Sequence, residues 1–155
     1  MDKISIENVG KQIDSSTLKR PLTGAMNASN VALNYYELAP GDSFAYGYHM
    51  HETQEEIFVI LEGQVTFETE DGDIVVEAGE AIRFAPGEYQ QGTNIDDERV
   101  AALAIGAPQE SGDSEILRPC EACGGRTPQT IDLVEEGSMK VTRCSVCGEE
   151  TGRFE

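Results

Sequence analysis

Two histidines stand one residue apart, at His49 and His51, and they are the only histidines in the chain. Residues i and i+2 of a strand point to the same face, so both imidazoles would project together. After the turn-like Glu52-Thr53-Gln54, Glu55 and Glu56 open the apolar run IFVILEG. A carboxylate of that run can return across the turn toward the imidazoles. Two neutral imidazoles with one or two oxygen ligands suit Zn, Fe, Mn, Ni or Cu, and the positions left open are what a catalytic metal site keeps. Either Glu55 or Glu56 satisfies the spacing.

A second group lies near the C-terminus, where Cys120-x2-Cys123 is followed after twenty residues by Cys144-x2-Cys147. Thiolates two residues apart around a tight turn can bind one ion. Each pair is followed by a glycine, Gly124 or Gly148, which permits the positive φ of such a turn. Two such knuckles complete a tetrahedral shell of four thiolates, and TIDLVEE, Gly137-Ser138 and MKVTR supply a hairpin to join them. The segment resembles a zinc ribbon. No βαβ pattern surrounds either pair, which argues against a redox dithiol, and a chain of the cytoplasm has little use for disulfides. A closed shell implies a structural Zn²⁺, whose binding would hold so small a segment folded.

The first group resembles the leading motif of the cupin superfamily: His-x-His, three or four residues, Glu, six residues, Gly. His49-Met50-His51, Glu56 and Gly63 fit it, while Ser43 stands where the family places an earlier glycine and Gly41 lies two positions before. The family's second motif falls on GEAIRFAPGEYQQGTN, with Gly79, Gly87 and Asn94 in place. Ala85 takes the proline position, with Pro86 next, and Gln90 takes the position of the third histidine. The resemblance implies an all-β chain: a double-stranded β-helix, or jelly-roll barrel, followed by the small ribbon hairpin. It implies a barrel metal held by His49, His51 and Glu56, with Gln90 as a weak fourth ligand or as a hydrogen-bond partner of bound water. It also implies a small-molecule ligand and, by resemblance alone, a homodimer. Cupins include dioxygenases, isomerases, decarboxylases, seed storage proteins and ligand-sensing domains, so the fold does not fix the function. A metal-dependent enzyme is one reading. A non-catalytic sensing or oligomerisation module, with the ribbon touching a protein partner, is the other.

These residues need strands to position them. VALNYYEL, FAYGYHMH, IFVILEG, QVTFETEDGD, IVVEAGE, AIRFAPGEYQQG and RVAALAIGAP read as short strands between turn signals at Glu62-Gly63, Asp71-Gly72 and Pro86-Gly87. Gly47 would leave room beside a metal. Tyr36, Tyr48 and Tyr89 are candidates for the pocket wall or the core. Arg83 lies between Ile82 and Phe84, so if those two fill the core Arg83 is solvated and ion-paired. Residues 1–29 read as a short edge strand and irregular arm, 30–108 as the barrel, 109–115 as a polar linker and 116–155 as the ribbon.

The chain has 155 residues and a net charge of −18, from 29 acidic against 11 basic side chains. Between residues 21 and 110 the basic side chains are Arg83 and Arg99 alone. Such a surface repels phosphate backbones and anionic membranes, so nucleic acid is not an expected partner. The composition resembles that of proteins from extreme halophiles, where dense salt screens self-repulsion. With no apolar h-region and no run of eighteen apolar residues, the expected setting is the cytoplasm.

Overall fold

The computed structural model describes residues 1–14, 17–134, 137 and 139–154. Among the described residues fourteen strands form two antiparallel sheets. They are β1 (Gln12–Asp14), β2 (Thr17–Pro21), β3 (Ala32–Leu38), β4 (Tyr48–His51), β5 (Glu55–Glu62), β6 (Gln64–Thr69) and β7 (Gly72–Glu77), followed by β8 (Ala81–Phe84), β9 (Gln90–Thr93) and β10 (Val100–Ala107). The C-terminal part adds β11 (Ser114–Cys120), β12 (Gly125–Val134), β13 (Met139–Cys144) and β14 (Glu150–Phe154). One sheet runs β1-β2-β3-β10-β5-β8 and the other β14-β13-β12-β11-β4-β9-β6-β7. The all-β architecture expected from the turn spacing is therefore present, and RVAALAIGAP is a strand, paired on both sides by β3 and β5.

The core lies between the sheets, because each strand turns alternate residues inward. Phe58 and Ile60 of β5, Val65 and Phe67 of β6, Phe84 of β8 and Val100 and Ala102 of β10 are buried there with Leu38. Phe67 packs against Phe58 and Phe84 with ring centroids 5.1 and 5.4 Å apart. Gly92 makes this stack possible, since a Cβ at that position would lie 2.6 Å from the Phe67 ring.

The N-terminus is more regular than the sequence suggests. Ile6–Asn8 is a 3-10 turn rather than part of a strand, and β1 and β2 pair with each other and then with β3. Without them β3 would expose an unpaired edge, and covering it offsets the polar character of the arm. Ser15 and Ser16, between β1 and β2, lie outside the described residues, as does Ser138 of the expected ribbon turn.

The other difference is at 109–115. Ser114 and Glu115, read as the end of a linker, open β11, which pairs with β4 in the register Ser114↔His51, Ile116↔His49 and Leu117↔Tyr48. The same strand pairs with β12 on its other side, so the cysteine-bearing strands continue the sheet that carries both histidines. Gly47 permits this approach. A Cβ there would stand 2.8 Å from the Leu117 carbonyl oxygen and 2.9 Å from the Ile116 side chain, so the space it leaves is filled by β11.

Side chains reinforce the junction. Arg118 donates to the Tyr46 carbonyl and, at 3.2 Å, to that of Thr151, while its guanidinium lies 5.1 Å from the Phe154 ring centre. Lys140 Nζ donates to the Tyr46 hydroxyl at 2.5 Å. Among the described residues no helix is long and apolar enough to cross a membrane.

Candidate metal centres

The barrel centre is built on β4, β5 and β9. Because His49 and His51 share a face of β4, both Nε2 atoms reach the same carboxylate: His49 Nε2 lies 3.6 Å from Glu56 Oε2, and His51 Nε2 3.4 Å from Glu56 Oε1. Glu56 shares its parity with Phe58 and Ile60, which are 3% and 0% exposed, so it faces the interior. Glu55 faces outward and accepts a hydrogen bond from Arg83 Nε at 2.5 Å. The structure thus separates the two glutamates, and Arg83 has the solvated, ion-paired place expected of it.

The outer nitrogens of the two rings are held differently. His49 Nδ1 is 3.0 Å from the Gly47 carbonyl oxygen, which can only accept, so this nitrogen carries the proton and Nε2 keeps a lone pair. His51 Nδ1 is 2.6 Å from Ser114 Oγ. Lone pairs aimed at a carboxylate repel it unless a proton or a cation lies between. Burial pushes the Glu56 carboxyl up, but when both imidazoles are protonated their hydrogen bonds and charge outweigh it and hold the group down to about 2.

Gln90 sits opposite His49 in the β4–β9 register and is 1% exposed. Its Nε2 donates to Glu56 Oε2 at 2.8 Å and lies 3.3 Å from His49 Nε2, while its Oε1 is buried without a partner. One ligand atom each from His49, His51 and Glu56 lie within 4.8 Å of one another. The donor set of two imidazoles and a carboxylate fits a divalent cation, while Gln90 turns its amide NH2 rather than its oxygen toward that set.

Beside His49 and Glu56 is a cavity of about 80 Å³, walled also by Asn34, Tyr36, Gln54 and Phe58. Gln54 is a site-wall residue that motif reading missed; its Nε2 donates to the carbonyls of Pro108 and Gln109 at 2.8 and 3.3 Å. Of the three tyrosines singled out, Tyr36 lines the cavity and burial raises its hydroxyl pKa. Tyr48 and Tyr89 instead stack on each other at 5.3 Å on the opposite face of β4, where Tyr89 donates to Glu115. That bond, with burial, pushes Tyr89 up to about 12.

The second cluster joins Cys120 at the end of β11 to Cys144 at the end of β13. Cys120 and Cys147 sulfurs are 3.6 Å apart, and those of Cys123 and Cys144 are 3.8 Å apart. A tetrahedron with Zn–S of about 2.3 Å has edges of about 3.8 Å, whereas a disulfide needs about 2.05 Å. Gly124 and Gly148 adopt φ of 75° and 80°, and their amides donate back to the Cys120 and Cys144 carbonyls at 3.0 and 2.8 Å. The Thr127 hydroxyl, 3.0 Å from Cys144 Sγ, is the main cause that pulls this thiol down to about 6. Cys147 and the other neighbouring sulfurs push Cys123 up to about 12. Four thiols this close cannot all ionise unless a cation neutralises them.

No curated protein matches the sequence. A family model described as the cupin domain matches residues 34–106, the stretch that holds His49, His51, Glu56 and Gln90. This stretch has the cupin fold. Among solved structures the chain is similar to a sugar phosphate isomerase of the cupin superfamily from Silicibacter pomeroyi, at 18% identity and TM-score 0.66 over 99% of this chain and 91% of that one. It is similar to the polyketide cyclase RemF from Streptomyces resistomycificus, at 25% identity and TM-score 0.66 over 78% and 88% of the two chains. A predicted oxalate decarboxylase from Thermotoga maritima is similar at 23% identity and TM-score 0.60, over 68% and 98%. The likeness in fold to the first of these extends past residue 106 over the C-terminal strands.

Proposed function

We propose that the cupin domain holds a divalent metal through His49, His51 and Glu56, and that a small molecule binds beside it in the cavity walled by Asn34, Tyr36 and Gln54. The observation that carries this reading is the aim of both imidazoles at one carboxylate, with each outer nitrogen tied back to oxygen. Bound there, the ion would supply Lewis acidity or an oxygen-activating centre. The chain's own contribution is to fix the rings, exclude bulk water with Phe58 and Tyr36, and offer amide and hydroxyl groups to the ligand. Among the described residues of the cavity wall there is no lysine or arginine, so apart from the ion itself a phosphate would meet only uncharged donors and Glu56. The reading therefore favours a ligand that binds through hydroxyl or carbonyl oxygen over the phosphate end of a sugar phosphate. The four cysteines hold a structural zinc in the same reading, and cytoplasmic placement, high-salt adaptation and a homodimer are part of it.

One observation favours the second reading, a metal-free sensing or oligomerisation module. The Gln90 amide already bridges Glu56 and His49, a network that needs no ion. Elemental analysis of the purified full chain and of His49→Ala/His51→Ala decides between them. Two metals per chain falling to one supports the metal centre. One metal in both supports the module.

A further inference from the structure

We propose that Ser114, which lies beyond the cupin domain, is a positioning residue for His51 and so for a cation in the barrel; the inference rests on the metal reading above. A metal-ligating imidazole needs its second nitrogen fixed, because the proton there decides which nitrogen offers a lone pair and how the ring is turned. His49 has a local solution in the Gly47 carbonyl, two residues away. His51 has none, and its Nδ1 partner comes from 63 residues further along the chain, where Ser114 Oγ stands 2.6 Å away. A hydroxyl can accept or donate, so on its own it leaves the tautomer open. A cation at Nε2 demands the proton on Nδ1, and Ser114 is placed to accept it.

The backbone, rather than a wandering side chain, sets this contact. Ser114 is the direct cross-strand neighbour of His51, and Ile116 is that of His49. The Glu52 amide donates to the Asp113 carbonyl at 2.9 Å and extends the pairing past His51. Gly47 lets β11 approach at the other end of β4. β11 then runs to Cys120, a member of the cysteine cluster, so the strand that orients His51 is anchored at its far end by the ribbon. The C-terminal segment is part of the barrel centre through this one hydroxyl.

The test is a cobalt(II) titration of the full chain carrying one equivalent of zinc, for the cysteine cluster alone, comparing wild type, Ser114→Ala, Ser114→Thr and His49→Ala/His51→Ala. Thiolate-to-cobalt charge-transfer absorption would reveal any exchange into the cysteine cluster. The His51 tautomer is read separately by long-range ¹H–¹⁵N correlation. Loss of an outer-shell partner should weaken cobalt binding about 10- to 100-fold in Ser114→Ala. The same variant should shift the Nδ1 resonance of His51, whose hydrogen-bond partner is gone, and Ser114→Thr should restore both. Wild-type affinity and Nδ1 resonance in Ser114→Ala, or an equal loss in Ser114→Thr, overturns the role of the hydroxyl and leaves the metal reading standing. If wild type binds cobalt no more tightly than the double-histidine variant, the metal reading itself falls and this inference with it.

Discussion

Glu68 on β6 accepts two hydrogen bonds from the Arg126 guanidinium on β12, at 2.6 and 2.8 Å, and so ties the cupin-like barrel to the cysteine-bearing strands. The same guanidinium lies over the Tyr48 ring, 4.8 Å from its centre.

Arg126 holds the Glu68 carboxyl below its ordinary range, and this decides the pH dependence of the pair. A depressed folded-state pKa stabilises the fold above the ordinary carboxylate value and ceases to do so as pH falls through the lowered one. Glu68→Gln should therefore cost under about 1 kcal/mol at neutral pH, because both side chains are about 40% exposed. The difference from wild type in urea midpoint should shrink on acidification below the carboxylate range. A difference that stays constant down to acid pH would remove the ion pair as its cause.

Gly47→Ala should separate β11 from β4, because the new Cβ meets backbone at 2.8 Å, which cannot swing away. Overpacking of this kind costs about 1–3 kcal/mol. Amide exchange should accelerate at Ile116 and Leu117 while Phe58 and Ile60 stay protected. Unchanged protection in β11 would show that the strand tolerates the methyl group.

If the cysteine cluster holds a structural ion as proposed, removing it with a strong chelator should release β12–β14. Since β11 also pairs with β4, exchange protection should fall at His49 and His51 too, while β5 and β10 keep theirs. The sequence alone places this border at the polar stretch before Ile116. Exchange mass spectrometry would decide between the two borders.

Gln90→His should tighten binding of a divalent metal in the barrel, because an imidazole replaces an amide beside His49 and Glu56. An affinity equal to that of wild type would remove position 90 from the coordination shell.

Melting temperature should rise between low salt and molar KCl. The Debye length shrinks from about 10 Å at 0.1 M to about 3 Å at 1 M, which screens repulsion among the carboxylates of a chain with net charge −18. A flat or falling curve would argue that the acids are already compensated by local pairs such as Arg99 with Glu37.

The amino-acid sequence by itself determined what depends on local spacing. Period-two placement set both histidines on one face, turn residues cut the chain into short strands, and paired CxxC knuckles with their glycines brought four sulfurs to tetrahedral separation. It also placed Arg83 outside, because Ile82 and Phe84 flank it. It could not choose between Glu55 and Glu56, because IFVIL is apolar at both parities and only packing showed that Phe58 and Ile60 face the core. Nor could it place β11. Ser114 and Glu115 are polar and follow a linker-like stretch, and their pairing with β4 is a contact across more than sixty residues that no local pattern encodes. Strand partners are selected by which exposed edge remains open once the rest of the sheet has formed. For that reason the roles of Gly47 and Ser114, one as the gap that admits β11 and the other as the hydroxyl it carries to His51, were decided only by the tertiary structure.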